Sequence, residues 1–135
     1  IGIRDFCEEE ERFAINSDVP VHTFYDEEIK QKILSGQVWS SIVEEVISTL
    51  PTNVYVSFDI DGLTPDLCPN TGTPVPGGVS YEQAIFMLQA IVKAGKRIIG
   101  FDLSEVCPRE NEWDANVGAR MLYRLSVATC MSQKN

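Results

Sequence analysis

Apolar positions in this chain repeat with two different spacings, and the alternation between them sets the predicted architecture. Around Val54, Val56 and Phe58, β-branched and aromatic residues crowd together as in a buried strand. Arg97 to Leu103 is a second continuous apolar run, the pattern of a parallel strand covered on both faces. Elsewhere the spacing turns helical. Ile42, Val43, Val46, Ile47 and Leu50 mark a helix over Val38 to Leu50, ended by Pro51 and Asn53. Ser80 and Gln83 form a capping-box pattern ahead of the stripe Ala84, Ile85, Leu88, Ile91 and Val92, which Gly95 closes. A last helix from Trp113 to Thr129 is expected to bury Val117, Met121, Leu122 and Leu125. At the amino end, Ile1-Gly2-Ile3 reads as the end of a strand whose beginning is missing, and Val21 to Tyr25 as a short strand. Asp5 to Ala14 between them reads as a helix with Glu8, Glu9, Glu10 and Glu11 on a solvated face. Asp26 is placed as the cap of a helix through Leu34, which Gly36 separates from the next. Strand and helix thus alternate, predicting an α/β fold of three layers, α/β/α, with a mainly parallel sheet and right-handed crossovers.

The chemistry concentrates where the Val54 strand ends. Asp59 and Asp61 come directly after it, and in extended backbone residues two apart point to the same side, with Ile60 turned into the packing layer. Two carboxylates aimed at one spot repel unless a cation lies between them, and oxygen-only ligands favour a hard divalent ion such as Mg²⁺ or Mn²⁺. The same residues would also serve as a simple turn, because Asp61-Gly62 is turn-forming by itself. Beyond the pair lies a long loop fixed by Pro65, Pro69, Pro74 and Pro76 with Gly62, Gly72, Gly77 and Gly78, where compact domains normally have a short connection. Glu105 stands at the end of the second strand, on the same rim of a parallel sheet, where ligands bind. A helix-capping acid is the alternative for Glu105.

These stretches resemble a known family. SFDIDGLTPDLCPNTGTPVPGG, Ser57 to Gly78, resembles the signature of the ureohydrolases, the arginase and agmatinase family, and GFDLSEVCP, Gly100 to Pro108, resembles its later substrate-binding strand. The resemblance runs from Ile1-Gly2-Ile3-Arg4 to the final helix, so residues 1–135 are expected to be the carboxyl-terminal part of a single ureohydrolase-like domain. Thr64 departs from the pattern, standing where family members usually carry Asp. The resemblance implies an arginase-like fold and agmatinase-like hydrolysis of a small guanidino substrate to urea and an amine at a two-Mn²⁺ site. Asp59 and Asp61 would be metal ligands, and Glu105 would accept hydrogen bonds from the guanidinium, a planar cation suited to a carboxylate. Thr71 and Thr73 in TGTP would line the same pocket, or else stabilise turns. The family's remaining His and Asp ligands and its proton-transfer His lie upstream of these motifs. His22 in VHTF, the only histidine, matches neither motif and is expected to be packed or at the surface. The chain alone is therefore expected to be inactive and to bind Mn²⁺ weakly or not at all, as a fragment or a split half of the enzyme. The alternative from another class is a non-catalytic assembly or regulatory module derived from the family. A competing match, the D-x-D-G motif of haloacid-dehalogenase-like phosphatases, ranks lower because Leu63 replaces the expected Thr and no suitable acidic pair comes after it.

Composition narrows the partners. A net charge of −9 argues against nucleic acid, and no apolar run is long enough to span a bilayer. Charges at Arg4 and Asp5 leave Ile1 without the pattern of a signal peptide. Cys7, Cys68, Cys107 and Cys130 are widely spaced, which predicts reduced thiols in a cytoplasmic setting. Strand edges and helix faces left without neighbours predict a homo-oligomer or an aggregation-prone chain.

Overall fold

The computed structural model describes residues 1–110 and 112–134. Its elements are α1 (Glu8–Asn16), α2 (Asp26–Leu34), α3 (Trp39–Thr49), β1 (Asn53–Asp59), α4 (Tyr81–Lys93), β2 (Arg97–Ser104) and α5 (Trp113–Ser132). Strands β1 and β2 pair in parallel with α4 as the crossover, which gives the α/β class with a parallel sheet that the sequence predicts. The helix that joins them is specified locally. Ser80 Oγ accepts from the Gln83 N–H at 3.1 Å, and Gln83 Oε1 accepts from the Ser80 N–H at 2.8 Å, so the capping box closes as read. At the other end Gly95 succeeds the last turn with φ of 74°, a conformation that glycine adopts without a Cβ penalty.

One core joins α4, α5 and the two strands, with α3 packed against it. Ile60, Leu63, Ala84, Leu88, Ile98, Met121 and Leu125 are buried, with Val56, Phe58, Phe101 and Leu103 packed against them. The strand residues facing that core are set by the register, in which Val54 pairs with Ile98, Val56 with Phe101 and Phe58 with Leu103. An irregularity after Val54 skips Ile99, so the apolar run of β2 does not read as one buried ribbon. Ile99 is 61% exposed and Tyr55 57% exposed on the other side of the ladder, a difference from the expectation that both faces are covered.

Other sequence expectations shift for physical reasons. Helix α1 begins at Glu8 rather than Asp5, because the Glu10 carboxylate reaches back to the Cys7 N–H at 2.7 Å and sets the first turn there. No strand spans Val21 to Tyr25. Only Tyr25 forms a bridge, to Ile3, and the backbone bonds Gly2 N–H to Phe24 O and Asp26 N–H to Ile3 O flank it. Leu122 is 47% exposed, one position out of phase with the buried Met121 and Leu125 on α5. Asp26 is the first residue of α2, not its cap, which is Tyr25. His22 is exposed, and Cys7, Cys68, Cys107 and Cys130 are all free thiols. Among the described residues no helix is long and apolar enough to cross a membrane.

Candidate active site

The tip of β1 is held by its own apolar residues. Ile60, which opens a single 3₁₀ turn, Ile60–Gly62, and Leu63, which follows it, are fully buried, which anchors the turn to the core and lifts the residues between them toward the rim. The strand therefore stops at Asp59, and the two aspartates meet through this turn instead of through continued extended backbone. Asp59 Oδ1 accepts from the Asp61 N–H at 3.0 Å, capping the turn. Asp61 Oδ2 in turn accepts from the Thr73 hydroxyl at 3.3 Å, which ties the acidic pair to the loop of residues 63–79.

That loop is fixed from below. Asp114, at the start of α5, is fully buried and accepts from both the Asn70 N–H at 3.0 Å and the Asn70 side-chain amide at 2.7 Å. Cys68 is buried beside it, with its thiol directed at the Ile60 carbonyl, 3.2 Å away. Burial, with Asp114 and Asp61 adding negative charge, pushes that thiol up to about 11. Asn70 lies within the Ser57 to Gly78 stretch, but sequence reading gave it no role, and Asp114 stands in no motif that the sequence marks.

At the end of β2 the chain turns sharply, and Glu105 has a φ of 60°, a left-handed conformation uncommon for a residue with a side chain. Its carbonyl accepts from the Thr71 hydroxyl at 3.1 Å. Thr71 is buried and spends its hydroxyl on that carbonyl, so it acts on the backbone of Glu105. The Glu105 carboxylate lies against Gly72, where a Cβ would stand 2.9 Å from Oε2, so the loop approaches it closely only because that position is glycine.

Electrostatics link the three acids. The Asp59 carboxyl is raised above its usual value, chiefly by burial, and the charges of Asp61 and Glu105 push it further while the Asp61 N–H opposes them. A divalent cation would relieve this repulsion, and the donors are hard oxygens, so Asp59 and Asp61 fit as ligands of such an ion. They fit as part of a site. Among the described residues no group of three His, Cys, Asp or Glu side chains converges to hold a metal. Asp59, Asp61 and Thr73 line a cavity of about 520 Å³ that Arg4 and Asp5 also line and that runs down beside Val56. Sequence reasoning did not place Arg4 or Asp5 there, although the Ile1-Gly2-Ile3-Arg4 run marked the segment.

An α/β frame with an acidic pair at one strand tip and a third acid just past the end of the neighbouring strand is a site on the carboxyl rim of a parallel sheet, and the comparisons with known proteins narrow its class. The chain matches the arginase family over residues 1–127 and belongs to it. It is 36% identical over 81 residues to the N(1)-aminopropylagmatine ureohydrolase of Thermus thermophilus, a match that covers 60% of this chain and 27% of that protein. It is 40% identical over 87 residues to the agmatinase of Proteus mirabilis, covering 60% of this chain and 27% of that one. The crystal structure of arginase from Bacillus subtilis superposes with a TM-score of 0.71 at 26% identity, over 92% of this chain and 41% of the arginase. The chain thus spans well under half the length of the relatives it matches.

Proposed function

We propose that residues 1–135 are the carboxyl-terminal part of a single ureohydrolase domain, and that the assembled enzyme is a manganese-dependent hydrolase of a guanidino compound, agmatinase-like, releasing urea and an amine. One observation carries this reading: in a member of the arginase family, Asp59 and Asp61 stand together at the tip of β1, the Asp61 N–H bonded to the Asp59 carboxylate at 3.0 Å. Asp59 and Asp61 would hold the metal, with Thr73 fixing the orientation of the Asp61 carboxylate through its 3.3 Å hydrogen bond. When bound, two manganese ions supply a hydroxide at neutral pH and charge stabilisation at the reacting carbon. Glu105 accepts N–H bonds from the guanidinium, with its backbone held by Thr71, and the left-handed turn aims it across Gly72. The ureohydrolase and agmatinase relatives support a linear amidine as the substrate class.

The donor set of these residues is two aspartates, so the isolated chain binds Mn²⁺ weakly and releases no urea, and the remaining ligands come from elsewhere in the assembled enzyme. The assembled enzyme is further proposed to be a cytoplasmic homo-oligomer, while the exposed apolar side chains Phe13, Ile15, Tyr55 and Ile99 are surface that the rest of the domain or a second copy would cover. The test is urea release from a panel of guanidino substrates by the intact polypeptide, by its Asp61→Ala variant and by the isolated 135 residues, with bound manganese quantified. Loss of both manganese and urea release in Asp61→Ala is expected. Unchanged turnover in that variant would sink the metal assignment, and full activity of the isolated chain would sink the split of the ligand set.

A further inference from the structure

The acidic turn has a cation behind it whose side-chain hydrogen bonds go to backbone carbonyls. Arg4 sends its guanidinium across the chain to three backbone carbonyls: Gly62 at 3.3 Å, Gly2 at 3.5 Å, and Asp61 through a short contact from Nη2. Gly62 O also accepts from the Val79 N–H at 3.1 Å, so the exit of the turn is gripped from two sides. A planar fork of N–H donors can hold two neighbouring carbonyls at fixed directions, which a point charge on a flexible stem cannot.

The surroundings are shaped to admit this side chain. Gly77 and Gly78 have φ of 103° and 93°, and a Cβ on Gly78 would stand 2.8 Å from Arg4 Nη1 and 2.5 Å from the Leu63 carbonyl oxygen. A Cβ on Gly77 would stand 3.0 Å from Arg4 Cδ and 2.5 Å from Asp26 Oδ2. The glycine pair is itself clasped by α2: Asp26 Oδ2 accepts from the Gly78 N–H at 3.1 Å, and Lys30 donates to the Gly78 carbonyl at 2.6 Å. Arg4 is thus seated between the turn that bears Asp59 and Asp61 and a loop segment pinned to a helix.

We infer that Arg4 is a positioning residue for the metal-binding pair: by holding the carbonyls of Asp61 and Gly62 it fixes the backbone of the turn, and with it the direction of the Asp61 carboxylate relative to Asp59. The inference rests on the proposed metal role of the two aspartates, and it also predicts something independent of any metal. Without Arg4 the carbonyl of Asp61 loses its donor and the turn opens more often. Groups that orient a ligand from behind typically change metal affinity about 10- to 100-fold when removed.

The experiment compares Arg4→Ala and Arg4→Lys with the parent in the intact polypeptide that contains these residues. Lysine keeps the half-buried charge and the fold but offers one ammonium to carbonyls arranged for a fork, which guards against a variant that merely fails to fold. Hydrogen exchange is read on peptides covering the turn and, as controls, α4 and α5, all in metal-free protein. Mn²⁺ affinity is read by titration, and KM at saturating Mn²⁺ by urea release. The expected result is faster exchange confined to the turn in both variants and Mn²⁺ binding weakened about 10-fold or more in Arg4→Ala. Arg4→Lys is expected to restore thermal stability but only part of the Mn²⁺ affinity, with KM unchanged. Exchange in the turn equal to that of the parent overturns the positioning role, and so does uniform acceleration across α4 and α5. A parent that binds no Mn²⁺ instead refutes the proposed metal function and leaves the exchange comparison to decide Arg4 alone.

Discussion

Replacing Asp114 by Ala removes both acceptors that hold Asn70 and leaves a void at a fully buried position. Two hydrogen bonds to a charged group are lost, each typically contributing about 1.5–3 kcal/mol, and both donors of the half-buried Asn70 lose their partner. The two bonds share one pair of residues, so their losses overlap rather than add in full. A destabilisation of about 3–4 kcal/mol is therefore expected for the intact polypeptide. Asp114→Asn keeps the shape and one acceptor, but presents an amide N–H₂ to donors, and should fall near half that value. The Asn70 anchor also sets the height of the loop that carries Thr71, Gly72 and Thr73, so limited proteolysis should cut within residues 63–79 in Asp114→Ala before it cuts elsewhere. The assay is urea denaturation monitored by circular dichroism, with the cleavage sites mapped by mass spectrometry. A midpoint corresponding to less than about 1 kcal/mol of loss, with the loop still protected, would refute the view that the loop hangs from this carboxylate.

Glu105→Gln keeps the size of the side chain and removes its charge, so kcat/KM for a guanidino substrate in the intact enzyme should fall about 10- to 100-fold with manganese content unchanged; an undiminished kcat/KM would remove Glu105 from substrate recognition. Cys68 should resist thiol reagents at about pH 8 while the exposed Cys7 and Cys130 react, because its thiol is buried and raised to about 11; labelling of Cys68 in native protein would contradict the packing described. A folded value above the unfolded 9.0 favours the protonated native state, so this contribution to stability is present below pH 9 and is lost as pH rises toward about 11. A stability profile over that window that is identical in Cys68→Ala would refute the linkage.

What could be read from the sequence was decided by locality. The capping box of Ser80 and Gln83 and the left-handed glycines after α2 and α4 need only neighbours within a few residues, and they formed as read, with φ of 97° at Gly36 and 74° at Gly95. Val21 to Tyr25 has strand composition, but a strand needs a partner, and Ile3 offers a single bridge. Ile99 belongs to an apolar run that periodicity assigns to the interior, and an irregularity in the pairing with β1 turns it out. At the site, sequence placed Asp59 and Asp61 at the end of a strand, and the structure puts them there. The manner of their meeting was not legible, since it depends on Ile60 and Leu63 both finding places in the core, which bends the chain one residue after Asp59.

The two acids at helix starts look local and act at long range. Asp26 and Asp114 sit in the first turns of α2 and α5, where an acidic side chain is favoured by the helix dipole and reads as a local helix signal. Both are buried, and a buried carboxylate must find donors or be left at a cost of several kcal/mol. Asp114 takes its donors from the loop, the Asn70 backbone and side-chain amides, and Asp26 takes the Gly78 N–H there beside an ion pair with Lys30 of its own helix at 3.6 Å. The loop is therefore held near its middle by α5, at Asn70, and near its end by α2, at Gly78, 44 and 52 residues away in sequence, and the Thr73 hydroxyl that reaches Asp61 lies between those anchors. Changes in either helix that leave every acidic site residue in place should still move the Asp61 carboxylate, because its hydroxyl partner is positioned by the carboxylates of Asp26 and Asp114.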